Sequence, residues 1–238
     1  MMKFEIKRRF TGAVKFTTEI EAQEDAPASV KLRLAVLWAI ENKVDLSGSD
    51  LRGSNLSNCN LRGSDLSDCD LSDCDLRGSD LSDCNLSGSD LNHSNLSDCD
   101  LSRSNLSDCD LRGSDLSDCD LRGSDLSDCD LSRSDLRDCN LSGSDLRGSD
   151  LSDCDLSRSN LSDCDLSGSN LSDCNLRVLQ TGIWTVYVQK DTIRIGCQYH
   201  SISDWGQFTD GQIANMHGRA LIWWKIWKDI IFAIHATI

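Results

Sequence analysis

The sequence is poor in several things that most folds use. It has one Pro in 238 residues, two Tyr, an aromatic content of 5%, and 24 Lys and Arg against 39 Asp and Glu. No apolar run reaches the roughly 18 residues of a membrane-spanning helix, so no membrane partner is expected. Charges within Met1 to Phe10 interrupt the stretch that a signal peptide needs, so a soluble, cytoplasmic protein is expected. The formal net charge of −15 argues against direct nucleic-acid binding, because neutralising phosphates takes clustered Lys and Arg. Thirteen Cys would mark a disulfide scaffold in a secreted chain, but an odd count without an export signal points to free thiols.

What the chain does have is a repeat. Leu stands at every fifth position from Leu46 to Leu176, 27 times without a gap. The residue before each is Asp or Asn, from Asp45 to Asn175, and the residue two before is Ser or Cys, Val44 excepted. A period of five fits neither a helix at 3.6 nor a strand at 2. It fits a coil with four short sides, one repeat per side, each closed by a turn built from Asp, Asn, Ser or Gly. Leu and the small Ser or Cys then point inward and the other three positions face water. Inward Ser hydroxyls need hydrogen-bond partners on neighbouring coils.

The unit resembles that of the pentapeptide-repeat family: a small residue, Asp or Asn, Leu, and two variable positions. The match runs from Val44 to Val178. The resemblance implies an all-β solenoid, a right-handed quadrilateral β-helix with four repeats per coil. All central residues here are Leu and nothing interrupts the repeats, so a shaft of uniform width without projecting loops is expected.

Three segments follow: an N-terminal cap over residues 1–44, the β-helix over 45–177, and a C-terminal segment over 178–238. The ends of a coil stack expose apolar side chains and unpaired backbone, so caps are needed. In the first segment, Phe4 to Phe10 and Ala13 to Ala22 read as strands around Thr11-Gly12. Val30 to Asn42 reads as a helix with Asp25 or Ser29 as cap and Pro27 near its start. In the last, Trp184 to Val188 and Thr192 to Ile195 read as a hairpin, and one helix is expected from Asp210 to about Ala236. That helix is apolar nearly all round, with a polar strip only at Lys225, Lys228 and Asp229. One side is expected to cap the last coil and the other to pair with a second copy through Trp223, Trp224, Trp227, Ile230 and Ile234.

Candidate chemistry is thin. Twelve Cys occupy inward positions, with Cys99, Cys119 and Cys139 stacked on one side and Cys109 and Cys129 on the opposite one. They read as small apolar filler. Each follows Asp or Asn, whereas each inward Ser follows Gly, Arg or His. Cys197 and His200 form a lone C-x-x-H pair, short of the four ligands that zinc takes. No His or Lys is paired with the regular Asp rows, so no catalytic residue, cofactor or metal is expected.

The charge is concentrated. Residues 45–177 hold 29 Asp against 11 Arg, an excess of 18 negative charges. Rotating the repeats over four sides puts 13 of those 18 on two adjacent ones. The first carries Asp65, Asp68, Asp108, Asp125, Asp128, Asp145 and Asp165; the second carries Asp70, Asp73, Asp90, Asp110, Asp130, Asp150, Asp153 and Asp173. Such self-repulsion opposes folding, and a cationic partner surface relieves it. The family resemblance implies more, since some members, including those giving quinolone resistance, form dimeric rods that mimic DNA and occupy the DNA-binding saddle of DNA gyrase. The stretches Met2 to Phe10 and Ile195-Gly196-Cys197 to Trp205 also resemble phage and prophage members, which would place the protein in a host cytoplasm. The expected function is therefore non-enzymatic binding of a protein's basic, DNA-binding surface. The alternative is a structural scaffold assembled through the C-terminal segment, with the Asp rows serving solubility. Ice binding is disfavoured, because the repeats contain no Thr and are heavily charged.

Overall fold

A computed structural model describes residues 1–181 and 183–236. Between Asp50 and Asn170 the chain stacks upon itself every 20 residues, through single parallel bridges such as Asp90↔Asp110, Asn95↔Asp115, Asp100↔Asp120 and Asn105↔Asp125. These four bridges belong to four separate ladders, so each coil spans four repeats and each side is one residue pair wide.

The reason lies in how five backbone amides per repeat are satisfied. In the repeat around Leu91, the Leu91 amide donates to the Asp110 carbonyl (2.7 Å) and the His93 amide to the Arg112 carbonyl (3.0 Å), both one coil on. The Ser94 amide closes a turn onto the Leu91 carbonyl (3.2 Å), and the Asn95 amide reaches the Cys74 carbonyl one coil back (2.9 Å). The fifth amide, that of Asn92, cannot reach another coil and takes the Asp90 carboxylate at 3.2 Å. In the same way the Ser67 amide donates to the Asp65 carboxylate (3.1 Å) and the Ser127 amide to that of Asp125 (3.0 Å). An Asp or Asn before every Leu is thus the fifth acceptor of the repeat.

The second residue after each Leu is left-handed: all 26 from Gly48 to Asp173 have φ between 53° and 77°. A positive φ there closes a type II turn, which Gly adopts freely and Asp and Asn tolerate. Arg103, Arg133, Arg158 and His93 adopt it without that ease.

Leu51 to Leu161 are buried, and inward Ser and Cys fill the space between their stacks. The inward hydroxyls find the partners they need: Ser94 donates to the Leu71 carbonyl (2.6 Å) and Ser114 to that of Leu91 (2.7 Å). Cys109 makes the same bond to Leu86 at 2.9 Å. Ser and Cys are equivalent here, so nothing in the structure explains why only Cys follows Asp or Asn. Burial pushes the Cys69 and Cys139 thiols up to about 12, leaving them protonated at neutral pH.

At the N-terminal end, β1 (Met2–Arg8) and β2 (Val14–Ile20) form an antiparallel hairpin, and β1 also pairs with β3 (Ser49–Asp50) in the first coil. Helix α1 (Ala28–Glu41) buries Ala35, Val36 and Ala39 in the same core as the shaft leucines. Its N-cap is Pro27 with no side-chain cap bond, so neither Asp25 nor Ser29 plays the expected part. Ser29 already lies inside the first turn, too late to cap it.

At the other end, β4 (Leu176–Gln180), β5 (Thr185–Gln189), β6 (Thr192–Ile195) and β7 (Gln198–Ser201) form an antiparallel sheet in that order. Three helices follow, α2 (Ile202–Gln207), α3 (Asp210–Met216) and α4 (Ala220–His235), in place of the single expected one. The chain is extended at His217 (φ −164°, ψ 149°). There the Trp184 ring meets both His217 (5.3 Å) and Trp223 (5.1 Å) edge-on, so α3 and α4 close on one indole from two directions, which a straight helix could not do. The covering of the shaft also differs from expectation. Val178 and Tyr187 of the sheet pack on the shaft core, whereas α4 belongs to a separate core with Val186, Ile193 and Trp205. No helix among the described residues is long and apolar enough to cross a membrane.

Two outcomes test this packing. Leu116→Ala should cost about 2–5 kcal/mol in denaturant unfolding, Asp115→Ala about 1 kcal/mol, and Asp115→Asn close to nothing, because Asn supplies the same acceptor. Of the 13 thiols, only Cys197 is exposed. Ellman's reagent should therefore titrate one thiol rapidly in the native protein and the remainder only after unfolding.

Candidate partner-binding faces of the acidic shaft

The turn chemistry decides which carboxylates are spent on the fold. Asp before Leu gives one oxygen to its own turn and leaves the other for solvent or for an Arg. Ser167 and its amide hold Asp165 below the usual carboxylate range, and Ser152 does the same for Asp150. Asp at the left-handed position makes no such turn bond. Asp68 instead lies along the shaft over Gly88, where a Cβ would meet its Oδ1 at 2.7 Å.

Arginine consumes part of the negative charge in two geometries. After Leu, Arg grips the Asp before Leu and reaches its counterpart one coil on: Arg112 with Asp110 and Asp130 (3.6 Å), Arg147 with Asp145 (2.5 Å) and Asp165 (3.9 Å). At the left-handed position, Arg pairs with the turn Asp of an adjacent coil, as Arg103 does with Asp83 (2.7 Å) and Arg158 with Asp138 (2.5 Å). Arg147 holds the Asp145 carboxyl below its ordinary value. Burial alone would raise Asp110, but its hydrogen bonds to Arg112 outweigh that and lower it.

These pairs divide the sequence-predicted faces. On the second side, Asp70 meets Arg52 (3.3 Å), Asp90 meets Arg9 of the cap (3.4 Å), Asp110 and Asp130 share Arg112, and Asp153 meets Arg133 (4.0 Å). Only Asp73, Asp150 and Asp173 there have no ion pair among the described residues. On the first side, Asp145 and Asp165 share Arg147, while Asp65, Asp68, Asp108, Asp125 and Asp128 have no such partner. The Arg9 side chain also lies across this edge, donating to the Gly88 carbonyl at 3.0 Å. Sequence reasoning could sum the charges by side, but it missed Arg9, which reaches the faces from outside the repeats. On the first side the open acidic stretch thus centres on Asp108, Asp125 and Asp128.

The residues expected at a dimer contact are separated by the fold. Trp223 and Trp224 are 5% and 3% exposed, because they pack on Trp184 and Trp205 inside the C-terminal core. Trp227 and Ile234 are half-buried. Ile230 is exposed and joins Ile222 and Ile226 in a stripe along α4, at 45%, 72% and 62% exposure. Sequence reasoning named only Ile230 of the three; their i, i+4, i+8 spacing was there to read, but it could not say which side of an all-round apolar helix turns outward.

Among the described residues no group of His, Cys, Asp and Glu is arranged to hold a metal ion. Cys197 lies beside Gln198, whose Nε2 is 3.7 Å from its sulfur, and His200 is stacked edge-on against Trp205 and Phe208.

Comparison with known proteins bears on the shaft. A family model for a pentapeptide repeat region matches residues 73–146, and one for pentapeptide repeats matches residues 42–78 and 139–177. No curated protein matches the chain. Among solved structures, it is similar to QnrB1, a plasmid-mediated fluoroquinolone resistance protein, at 22% identity over 52% of this chain and 83% of that one, with a TM-score of 0.32. A pentapeptide repeat protein, Rfr23, from the cyanobacterium Cyanothece is 25% identical over 56% of this chain and 91% of that one, with a TM-score of 0.26. HetL, a pentapeptide repeat protein involved in heterocyst differentiation regulation in the cyanobacterium Nostoc, is 26% identical over 55% and 79%, with a TM-score of 0.18. With family models running without a break from residue 42 to residue 177, over the whole stretch of repeats, the chain belongs to the pentapeptide-repeat family.

Proposed function

We propose that the protein is a non-enzymatic acidic rod that docks on the basic, DNA-binding surface of another protein as a DNA mimic. A host DNA enzyme such as DNA gyrase is the partner class in view. The observation that carries this reading is the run of carboxylates around Asp108, Asp125 and Asp128 that pair with no Arg or Lys, on one of the two adjacent sides that hold 13 of the shaft's 18 excess charges. At four repeats per coil and about 4.8 Å per coil, 27 repeats extend about 32 Å. B-DNA carries roughly 19 phosphate charges over that length, against an excess of 18 on the shaft. Unpaired carboxylates held in fixed turns cost little ordering on binding, and a cationic surface removes their mutual repulsion.

The rod is proposed to act as a homodimer joined through α4. The stripe Ile222, Ile226 and Ile230 supports this, since a second copy offers the same stripe and a twofold axis pairs the two.

Both parts are testable. Asn occurs natively before Leu and in the turn, so the triple change Asp108→Asn, Asp125→Asn and Asp128→Asn leaves the repeat rules intact. It should weaken binding to purified gyrase about tenfold or more, while Asp138→Asn, whose carboxylate already pairs with Arg158, has little effect. Binding should also fall steeply between about 50 and 200 mM salt. Equal binding by the triple variant, or salt-independent binding, refutes the mimic. For the dimer, light scattering should give twice the 26.3 kDa chain mass at micromolar concentration. Ile226→Glu should return the chain mass with the circular dichroism unchanged.

A further inference from the structure

The C-terminal sheet and helices enclose a cavity of about 80 Å³ that the acidic shaft does not use. Four indoles wall it, those of Trp184, Trp205, Trp223 and Trp224, with Ile213 and Ala220 beside them. Two of these rings are anchored by bonds that lead away. The Trp205 Nε1–H donates to the Ile193 carbonyl at 2.7 Å and the Trp223 Nε1–H to Thr181 Oγ1 at 2.9 Å. Neither acceptor borders the cavity, so ring carbon is left to face it. Trp184 is seated over Gly196, where φ is +56° and a Cβ would meet the indole Cδ1 at 2.8 Å. Any other residue at 196 would push this wall out of place. Among the described residues no carboxylate, Lys or Arg borders the cavity; its polar rim is Cys197, Gln198 and His217.

A wall of this kind is costly to leave bare and is built before any ligand arrives. We propose that the cavity is a binding site for a small, uncharged, branched aliphatic or aromatic group, held by dispersion and water exclusion against the four indoles. The volume is about half of the roughly 150 Å³ that admits benzene, so a few heavy atoms enter and the rest of the molecule stays outside at the polar rim. Indole faces also attract quaternary ammonium groups, but a desolvated cation needs a counter-charge that this wall does not contain.

Choline and its uncharged carbon isostere, a dimethylbutanol in which carbon replaces nitrogen, have one shape and differ in charge. Titrated into the full chain, the alcohol should change the tryptophan fluorescence saturably, with a Kd on the order of 1 mM, and choline should bind at least about tenfold more weakly. Ala220→Leu, which fills the cavity, should abolish the alcohol response, and Cys197→Ala should leave it unchanged. In the unsubstituted protein the indole N–H resonances of Trp205 and Trp223 should shift with the alcohol. Tighter binding of choline, no saturation by either, or shifts that spare these two indoles would each overturn the proposal, whether or not the Ala220→Leu chain folds.

Discussion

Everything in the shaft depends on a repeat that satisfies its own backbone. Three amides of each repeat bond to adjacent coils, one closes the turn onto Leu, and the last takes the Asp or Asn side chain before Leu. No strand longer than a residue pair is needed, because the side-chain acceptor replaces what a sheet neighbour would supply. Once that bond is in place Leu can point inward at every fifth residue, and the core becomes a stack rather than a globule.

The same bond shapes the electrostatics. A repeat that needs Asp or Asn at one position of five is driven toward acidity, and the turn position, tolerant of Asp, adds to it. The chain answers with Arg at two defined places, and most of them bridge adjacent coils, so they reinforce stacking rather than neutralise the surface evenly. What remains unpaired lies between these pairs, on every side of the shaft. Arg9 narrows it further by crossing from the hairpin to Asp90. Acidity as a by-product of the fold and acidity available to a partner are different quantities, and only the positions of the Arg side chains separate them.

The C-terminal segment follows other physics. Its sheet continues the last coil through β4, and Val178 and Tyr187 lie against the shaft, but its aromatic residues form a core of their own. Packing four indoles around one cavity breaks the helix at His217 and turns Ile222, Ile226 and Ile230 outward. The interior and the exposed stripe are two sides of one choice, since burying Trp223 and Trp224 leaves the opposite face of α4 uncovered.

Much of the shaft was legible in the sequence, because a strict period of five with invariant Leu admits few packings and each repeat interacts with identical neighbours. The N-terminal hairpin and helix were legible too, from local alternation and apolar periodicity. The sequence by itself also determined the total charge and its division among four sides. Tertiary structure alone decided which carboxylates stay free, because Arg52, Arg112 and Arg147 reach across 18 residues and Arg9 comes from outside the repeats. It alone decided which side of α4 is buried, since a helix apolar on nearly every side carries no internal instruction. Local bonding within five residues can be read in one dimension; competition among side chains for the same partners is settled only in three.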